Sequence, residues 1–174
     1  MKTFISNNPV RLTLPLITVV LLLCFNFSSA QPDLPSRSNS LIATQPIYFG
    51  SFCITGGNGG TVTIDADGIR SAIGDITLLN VPPFAQPAIF EMKLCPSHTV
   101  FFNFETPYIM LTGSSGSIAL TIGPTDKGPD NSCFTTNPNC NIATFLRVGG
   151  TLTVTGSSPP GLYSGYFAIR FTLQ

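Results

Sequence analysis

The sequence contains one histidine, His98, and a Ser-His-Asp or Cys-His enzyme mechanism would have to use it. His98 follows Cys95-Pro96-Ser97 in a turn between two predicted strands, and the chain contains no Gly-x-Ser-x-Gly nucleophile motif. The pattern therefore favours a solvated loop histidine. A hydrolase that uses His98 is kept as a second alternative function.

Carboxylates are the next groups that could do chemistry. The segment Asp65-x-Asp67-Gly68 matches part of an EF-hand calcium loop, but the remaining ligand positions carry no acidic residue. A hairpin turn is the favoured interpretation of this segment. Glu91 and Glu105 lie in predicted strands, where a glycosidase pair would be placed, although their spacing does not single them out. We predict no catalytic residue, no cofactor and no metal ion.

Cysteines offer either metal ligands or disulfides, and their spacing favours disulfides. After the leader there are four, at positions 53, 95, 133 and 140, and none lie in the close pairs typical of zinc sites. Four cysteines allow three pairings. We favour Cys133–Cys140, which would close a turn-rich loop, and Cys53–Cys95.

The elements that position these residues follow a leader. Residues 1–30 have the pattern of a signal peptide: Lys2 and Arg11, an apolar run over 12–27, and Ser28-Ser29-Ala30 before the expected cleavage. The mature chain would be secreted, periplasmic or displayed at the cell surface. We predict no contact with the membrane beyond the cleaved leader.

The charge content of the chain excludes several functional classes. Charged residues make up 9% of the sequence, against about 25% in ordinary soluble domains. Residues 31–174 hold six basic and eight acidic residues, a formal charge of −2. This balance gives no electrostatic footprint for nucleic acid, and the composition excludes a coiled coil or a helical bundle.

The mature chain is predicted to be one all-β domain. Residues 31–45 are polar and Pro/Ser-rich, which predicts a flexible N-terminal extension, and the domain is expected over 46–174. About ten short β-type runs, separated by Gly, Pro, Asn and Asp, predict a β-sandwich with about eight to ten antiparallel strands. The predicted runs are 47–54, 60–65, 76–80, 87–95, 99–105, 108–112, 117–122, 144–148, 150–155 and 164–173.

One long segment, residues 123–142, lacks a strand pattern and exceeds the usual length of a connection. It is therefore predicted to be a binding loop or an insertion held by a disulfide. A ligand-binding module, for glycans for example, is the first alternative function. Its candidate residues are Asp126, Lys127, Asp130, Asn131 and Phe134.

Several blocks resemble a known bacterial family. They include Tyr48-Phe49-Gly50, Gly149-Gly150-Thr151-Leu152 and Gly161-Leu162-Tyr163-Ser164-Gly165. The chain over 46–174 resembles the secreted domain of unknown function 4402, which is similar in style to spore-coat-U-type and pilin domains. The resemblance implies an immunoglobulin-like sandwich with no established catalytic residues.

The C-terminus resembles that of pilin subunits in particular. Gly161 is the fourteenth residue from the end, and an alternating strand follows, with Leu173 where pilins have a penultimate Tyr. The resemblance implies an adhesion or assembly module that works by strand addition. Its partners would be other surface or pilus subunits, or a periplasmic chaperone. The C-terminal motif residues are Gly161, Tyr163, Gly165, Phe167, Ile169, Phe171 and Leu173.

Overall fold

The computed structural model of the protein describes residues 39–139 and 141–174. These residues form thirteen β-strands and no helix, and every strand pair is antiparallel. The predicted all-β class is confirmed. The strands are β1 Ser40–Gln45, β2 Phe52–Ile54, β3 Gly60–Ile64, β4 Arg70–Gly74, β5 Ile76–Leu78, β6 Ala88–Lys93, β7 Thr99–Phe104, β8 Tyr108–Gly113, β9 Ser117–Thr125, β10 Cys133–Thr135, β11 Thr144–Val154, β12 Tyr163–Ser164 and β13 Ile169–Leu173.

The strands form one large and two small sheets. The large sheet has eight strands in the order β1-β6-β11-β9-β8-β12, with β3 also paired to β11 and β4 paired to β3. The second sheet has the order β10-β7-β13, and the third consists of β2 and β5.

Strand β11 organises the large sheet because it is long enough to pair with two strands along one edge. Its first half pairs with β6 and its second half with β3, while β9 lies along the other edge. The change of partner occurs at Gly149 and Gly150, where the register with β9 also shifts. An added Cβ at Gly149 would lie 2.4 Å from the Ile64 carbonyl oxygen, so only glycine permits this close approach.

The core lies between the large sheet and the other two sheets. Alternate residues of β7, Val100, Phe102 and Phe104, are buried in one cluster with Met92 and Leu146 of the large sheet. This alternation follows from the two-residue period of a strand with one buried face.

Several observed strands differ from the predicted runs, and the described residues form thirteen strands instead of the predicted eight to ten. The predicted runs 144–148 and 150–155 are one strand over Thr144–Val154, and the predicted run 164–173 is divided between β12 and β13. Strands β4 and β10 were not predicted, because their sequences are short and carry glycine or polar residues. Strands β4 and β10 form because backbone pairing with a neighbouring strand does not require an alternating apolar pattern.

The N-terminal boundary also differs from the prediction. Strand β1 lies inside the segment expected to be a flexible extension and pairs with β6 over Ser40–Gln45. Leu41 and Ile42 are nevertheless about half exposed, at 48% and 54%. This strand is an edge held by backbone hydrogen bonds more than by burial. The predicted leader, 1–30, lies outside the described residues.

The two predicted disulfides, Cys53–Cys95 and Cys133–Cys140, are not confirmed. Cys53 and Cys133 are exposed free thiols, so neither of the favoured pairs is formed. Strand pairing explains this result, because Cys53 is fixed opposite Thr77 of β5 and Cys133 opposite Phe101 of β7. Cys95 is disulfide-bonded, and its partner lies outside the described residues, as does Cys140.

Candidate functional site

The described residues include a groove of about 1210 Å³. One wall is the chain from Gln45 to Gly56, which includes β2, and the other is the chain from Ser158 to Phe167, which includes β12. Between the walls, the inner face of the large sheet is the floor. We call this feature the wall-to-wall groove.

The floor of the wall-to-wall groove is apolar because it is built from the inward-facing residues of strands with a two-residue period. None of its side chains is ionisable, and most are less than 9% exposed. The floor residues are Ala88, Phe90, Ile109, Leu111, Ile118, Leu120, Leu152 and Val154.

The first wall is held in place by Arg70 of β4. Its Nη1 donates to the carbonyl oxygens of Phe49 (3.0 Å) and Ser51 (3.2 Å), and its Nη2 donates to that of Leu79 (2.7 Å). Gly50 lies directly over the guanidinium with a φ of +70°, and a Cβ there would be 2.3 Å from Nη1. Gly50 therefore meets two requirements, a left-handed backbone and space for the arginine.

The second wall depends on Tyr163 and two glycines. The Tyr163 hydroxyl donates to the Pro159 carbonyl oxygen at 2.5 Å, and its ring covers Gly113 of β8. Gly165 lets the chain pass over Leu111, since a Cβ there would be 2.7 Å from the leucine Cδ2. The Gly-x-Tyr-Ser-Gly block therefore sets the path of the chain from the large sheet to β13.

The strand in each wall has one edge with no strand partner among residues 39–139 and 141–174. Strand β2 pairs only with β5, and β12 pairs only with β8. Leu162 and Tyr166 on the second wall are 78% and 91% exposed. The groove thus combines an apolar floor with backbone edges that can still form hydrogen bonds.

The structure separates the predicted C-terminal motif into two parts. Four of its residues, Gly161, Tyr163, Gly165 and Phe167, line the groove. The remaining three are on β13, where Ile169 and Phe171 pack against the core and Leu173 is 46% exposed.

The predicted binding residues of 123–142 are not brought together in one cleft. Asp126 and Lys127 form an ion pair of 3.2 Å beside a shallow cleft of about 500 Å³. Asp130 instead accepts hydrogen bonds from the backbone N–H groups of Phe104 and Asn131. Phe134 packs against Phe102, with 6.1 Å between ring centroids. Most of these side chains therefore anchor the segment to β7 or to its neighbours.

The groups that could do acid–base chemistry are also dispersed. Within the described residues, the His98 imidazole has no hydrogen-bond or ion-pair partner, and its backbone pairs with Thr136. Glu91 forms an ion pair with Lys93 on the large sheet, while Glu105 pairs with Arg170 at the end of β7. The turn interpretation of Asp65 is confirmed, because its Oδ1 accepts from Asp67 N and Ile69 N between β3 and β4.

Comparison of the sequence with models of protein families identifies its family. The model for the domain of unknown function DUF4402 matches residues 40–172. The chain belongs to the DUF4402 family. No curated protein and no solved structure is similar enough to count as a match to this DUF4402 chain.

Two features are absent from the described part of this DUF4402 domain. It contains no helix long and apolar enough to cross a membrane. It also contains no group of three or more His, Cys, Asp or Glu side chains that could hold a metal ion.

Sequence analysis did not identify Arg70 or the floor of the groove as parts of a site. Arg70 is one charged residue at the start of an unpredicted strand, and nothing in its neighbourhood indicates three carbonyl partners. The floor residues were predicted only as strand faces, since a sequence does not show which strand faces will line a groove.

We expect Arg70→Met to lower the free energy of unfolding by about 2 kcal/mol, because it leaves carbonyl groups without a charged donor. Chemical denaturation of the purified protein measures this change. Arg147→Met is the control, since the Arg147 side chain is exposed and has no partner among the described residues; its effect should be within about 0.5 kcal/mol. Equal effects of the two substitutions would contradict the role given to Arg70.

Proposed function

We propose that this DUF4402 protein is an exported structural subunit of the pilin-like type. In this role it accepts an extended segment of another polypeptide in the wall-to-wall groove. The observation that carries the proposal is a groove with an apolar floor between two walls, each of which includes a strand with one unpaired edge. The protein would work by binding and assembly, not by catalysis, outside the cytoplasm.

An extended strand suits this groove better than a small compact ligand. A strand places alternate side chains on one face, and these would contact the apolar floor formed by residues such as Ile109 and Leu120. Its backbone would pair with the free edges of β2 or β12, which is the mode of binding called strand addition. The low charge of the domain is consistent with an apolar occupant.

The occupant must come from another polypeptide, because the N-terminal segment of this chain is unsuited. Between the expected cleavage site and β1, Leu34 is the one large apolar residue, and Pro32 and Pro35 cannot donate backbone hydrogen bonds.

The partner would therefore be a subunit that carries an alternating apolar strand, and this chain would accept without donating. A protein that accepts a strand but has none to give would not polymerise with itself. It would occupy one end of an assembly or bind a different subunit. A periplasmic chaperone is the other partner that would present such a strand.

The test is peptide binding to the exported protein, measured by fluorescence anisotropy. One peptide of about nine residues carries Ile, Val and Phe at alternate positions, and a second has the same composition with the apolar residues grouped together. We expect the alternating peptide to bind at least about tenfold more tightly, because only its apolar residues share one face. A third peptide with the sequence of residues 31–45 should not bind.

Two adjacent residues of β8 provide a matched pair of variants. Ile109→Asp places a charge on the groove floor, and Met110→Asp places the same charge on the opposite face of the strand. We expect only Ile109→Asp to abolish binding. Leu162→Asp changes a rim residue that is 78% exposed and so guards against loss of folding. Equal binding of both peptides, or binding unaffected by Ile109→Asp and Leu162→Asp, would overturn the proposed function.

A further inference from the structure

The outer face of the large sheet carries a second feature that the groove does not use. Strand register places two rows of side chains across β4, β3, β11, β9 and β8, on the side opposite the core. Five strands at about 4.8 Å spacing make each row roughly 19 Å across. We call these rows, together with Ile69, Thr112 and Ser117 at their margins, the threonine face.

Both rows carry hydroxyl groups, and three of their four ends are apolar or aromatic side chains. The first row ends in Ile73 and Met110, and the second ends in Ser71 and Tyr108. The residues between these ends are Thr61, Thr153 and Ala119 in the first row and Thr63, Thr151 and Thr121 in the second.

The threonine face contains no carboxylate and no cationic side chain. Three carboxylates, those of Asp65, Asp67 and Asp75, lie just beyond the ends of β3 and β4. The other half of the same sheet does carry charged residues. There Glu91 of β6 is opposite Phe145 of β11. A charged ligand such as nucleic acid, an anionic lipid or an acidic peptide would therefore find no counter-charge on this face.

Most hydroxyl groups on this face remain available for a ligand. Thr63 and Thr151 share a hydrogen bond of 3.0 Å between their Oγ1 atoms. Within residues 39–139 and 141–174, the other side-chain hydroxyls of the face have no protein partner: Thr61, Ser71, Thr112, Ser117, Thr121 and Thr153. Each can donate one hydrogen bond and accept two.

The exposed apolar residues on the margins complete the surface. Ile69, Ile73, Tyr108 and Met110 are 66%, 75%, 59% and 50% exposed. Tyr108 lies directly opposite Thr121 in the register, so an aromatic ring adjoins the hydroxyl rows. A ligand with polar edges and an apolar face would match this arrangement.

The composition and area of the face argue against a protein partner. Stable protein–protein interfaces bury about 800 Å² on each side, and a face of two rows roughly 19 Å across is well below that size. Ser and Thr are under-represented among the residues that carry binding energy in such interfaces.

We propose that the threonine face binds a neutral polysaccharide chain. Sugar rings present uncharged hydroxyls that both donate and accept, together with apolar C–H faces that pack on Tyr108 and the aliphatic margins. The individual hydroxyl contacts are weak, so one domain binds weakly and an assembly that displays many copies binds strongly. This site is independent of the groove and of the proposed strand addition.

The test is co-sedimentation of the exported protein with three insoluble neutral polysaccharides: cellulose, chitin and curdlan. Binding to at least one is expected, and it should change less than twofold between about 0.05 M and 0.5 M NaCl, because no charge on the face is screened. Binding to none of the three, or binding that is lost at the higher salt concentration, would overturn the proposal.

Variants locate the binding to the face. Tyr108→Ala and Thr121→Glu should each weaken binding at least about tenfold, while Thr77→Glu changes an exposed threonine of β5 and should leave it unchanged. Thermal unfolding of each variant confirms that it is folded. Equal binding by wild type and both face variants would assign the polysaccharide to another surface. Loss in Ile109→Asp but not in Tyr108→Ala would assign it to the groove, and either result refutes this inference.

Discussion

Gly149→Ala is expected to destabilise the protein by about 3 kcal/mol or more, a fall of roughly 10 °C in the midpoint of thermal unfolding. The new Cβ would lie 2.4 Å from the Ile64 carbonyl oxygen and 3.0 Å from the backbone of Asp65. Backbone atoms cannot move aside as a flexible side chain does, so β11 and β3 would have to separate. These strands hold the centre of the large sheet together.

Gly57→Ala is the matched control for this measurement. An added Cβ at Gly57 meets nothing within 4 Å, and the residue is exposed. Its effect should be within about 0.5 kcal/mol. Similar midpoints for the two alanine variants would show that the sheet can accommodate a side chain at position 149, contrary to the close approach described above.

Cys95→Ser is expected to lower the free energy of unfolding by about 2–5 kcal/mol, the usual cost of losing a native disulfide from a small exported domain. Cys53→Ser and Cys133→Ser should each change it by less than about 0.5 kcal/mol, because both residues are exposed free thiols. Denaturation of the three variants, with and without reductant, measures the difference. Reductant should remove the difference between wild type and Cys95→Ser.

The disulfide partner of Cys95 can be identified by peptide mapping. Cys133 is opposite Phe101, Thr135 is opposite Thr99, and Thr136 bonds to His98. Since Cys53 and Cys133 are free thiols, Cys140 is the remaining cysteine of residues 31–174, and we expect the protein to yield a peptide linking Cys95 to Cys140. Two thiols, Cys53 and Cys133, should react with a maleimide without reduction. A Cys53–Cys95 peptide would contradict this expectation.

The predicted and observed disulfides show where sequence reasoning fails in this chain. An even number of cysteines indicates disulfides in an exported protein, but the pairing depends on which strands become neighbours. Cys133 and Cys140 are close in the sequence, yet β10 pairs with β7 and leaves the Cys133 thiol exposed. Proximity along the chain was therefore a poor guide to the bond.

The same distinction applies to the candidate sites. The predicted ligand-binding residues of 123–142 were chosen for their polarity, but Asp130 caps backbone N–H groups and Phe134 packs on Phe102. The C-terminal block was chosen for its resemblance to other sequences, and Tyr163 and Gly165 do line the groove. The block could be found because its glycines and tyrosine are required by local backbone geometry.

The sequence by itself determined the all-β class, the antiparallel strands with alternating buried residues, and membership of the DUF4402 family. These depend on local composition and on the two-residue period, which a strand shows wherever it lies. Only the tertiary structure decided which strands are neighbours. That choice also decided the groove, the hydrogen bonds of Arg70 to three carbonyl groups, the state of each described cysteine and the threonine face. Each of these joins residues far apart in the chain, such as Thr63 and Thr151, and a periodic pattern carries no information about register between distant strands.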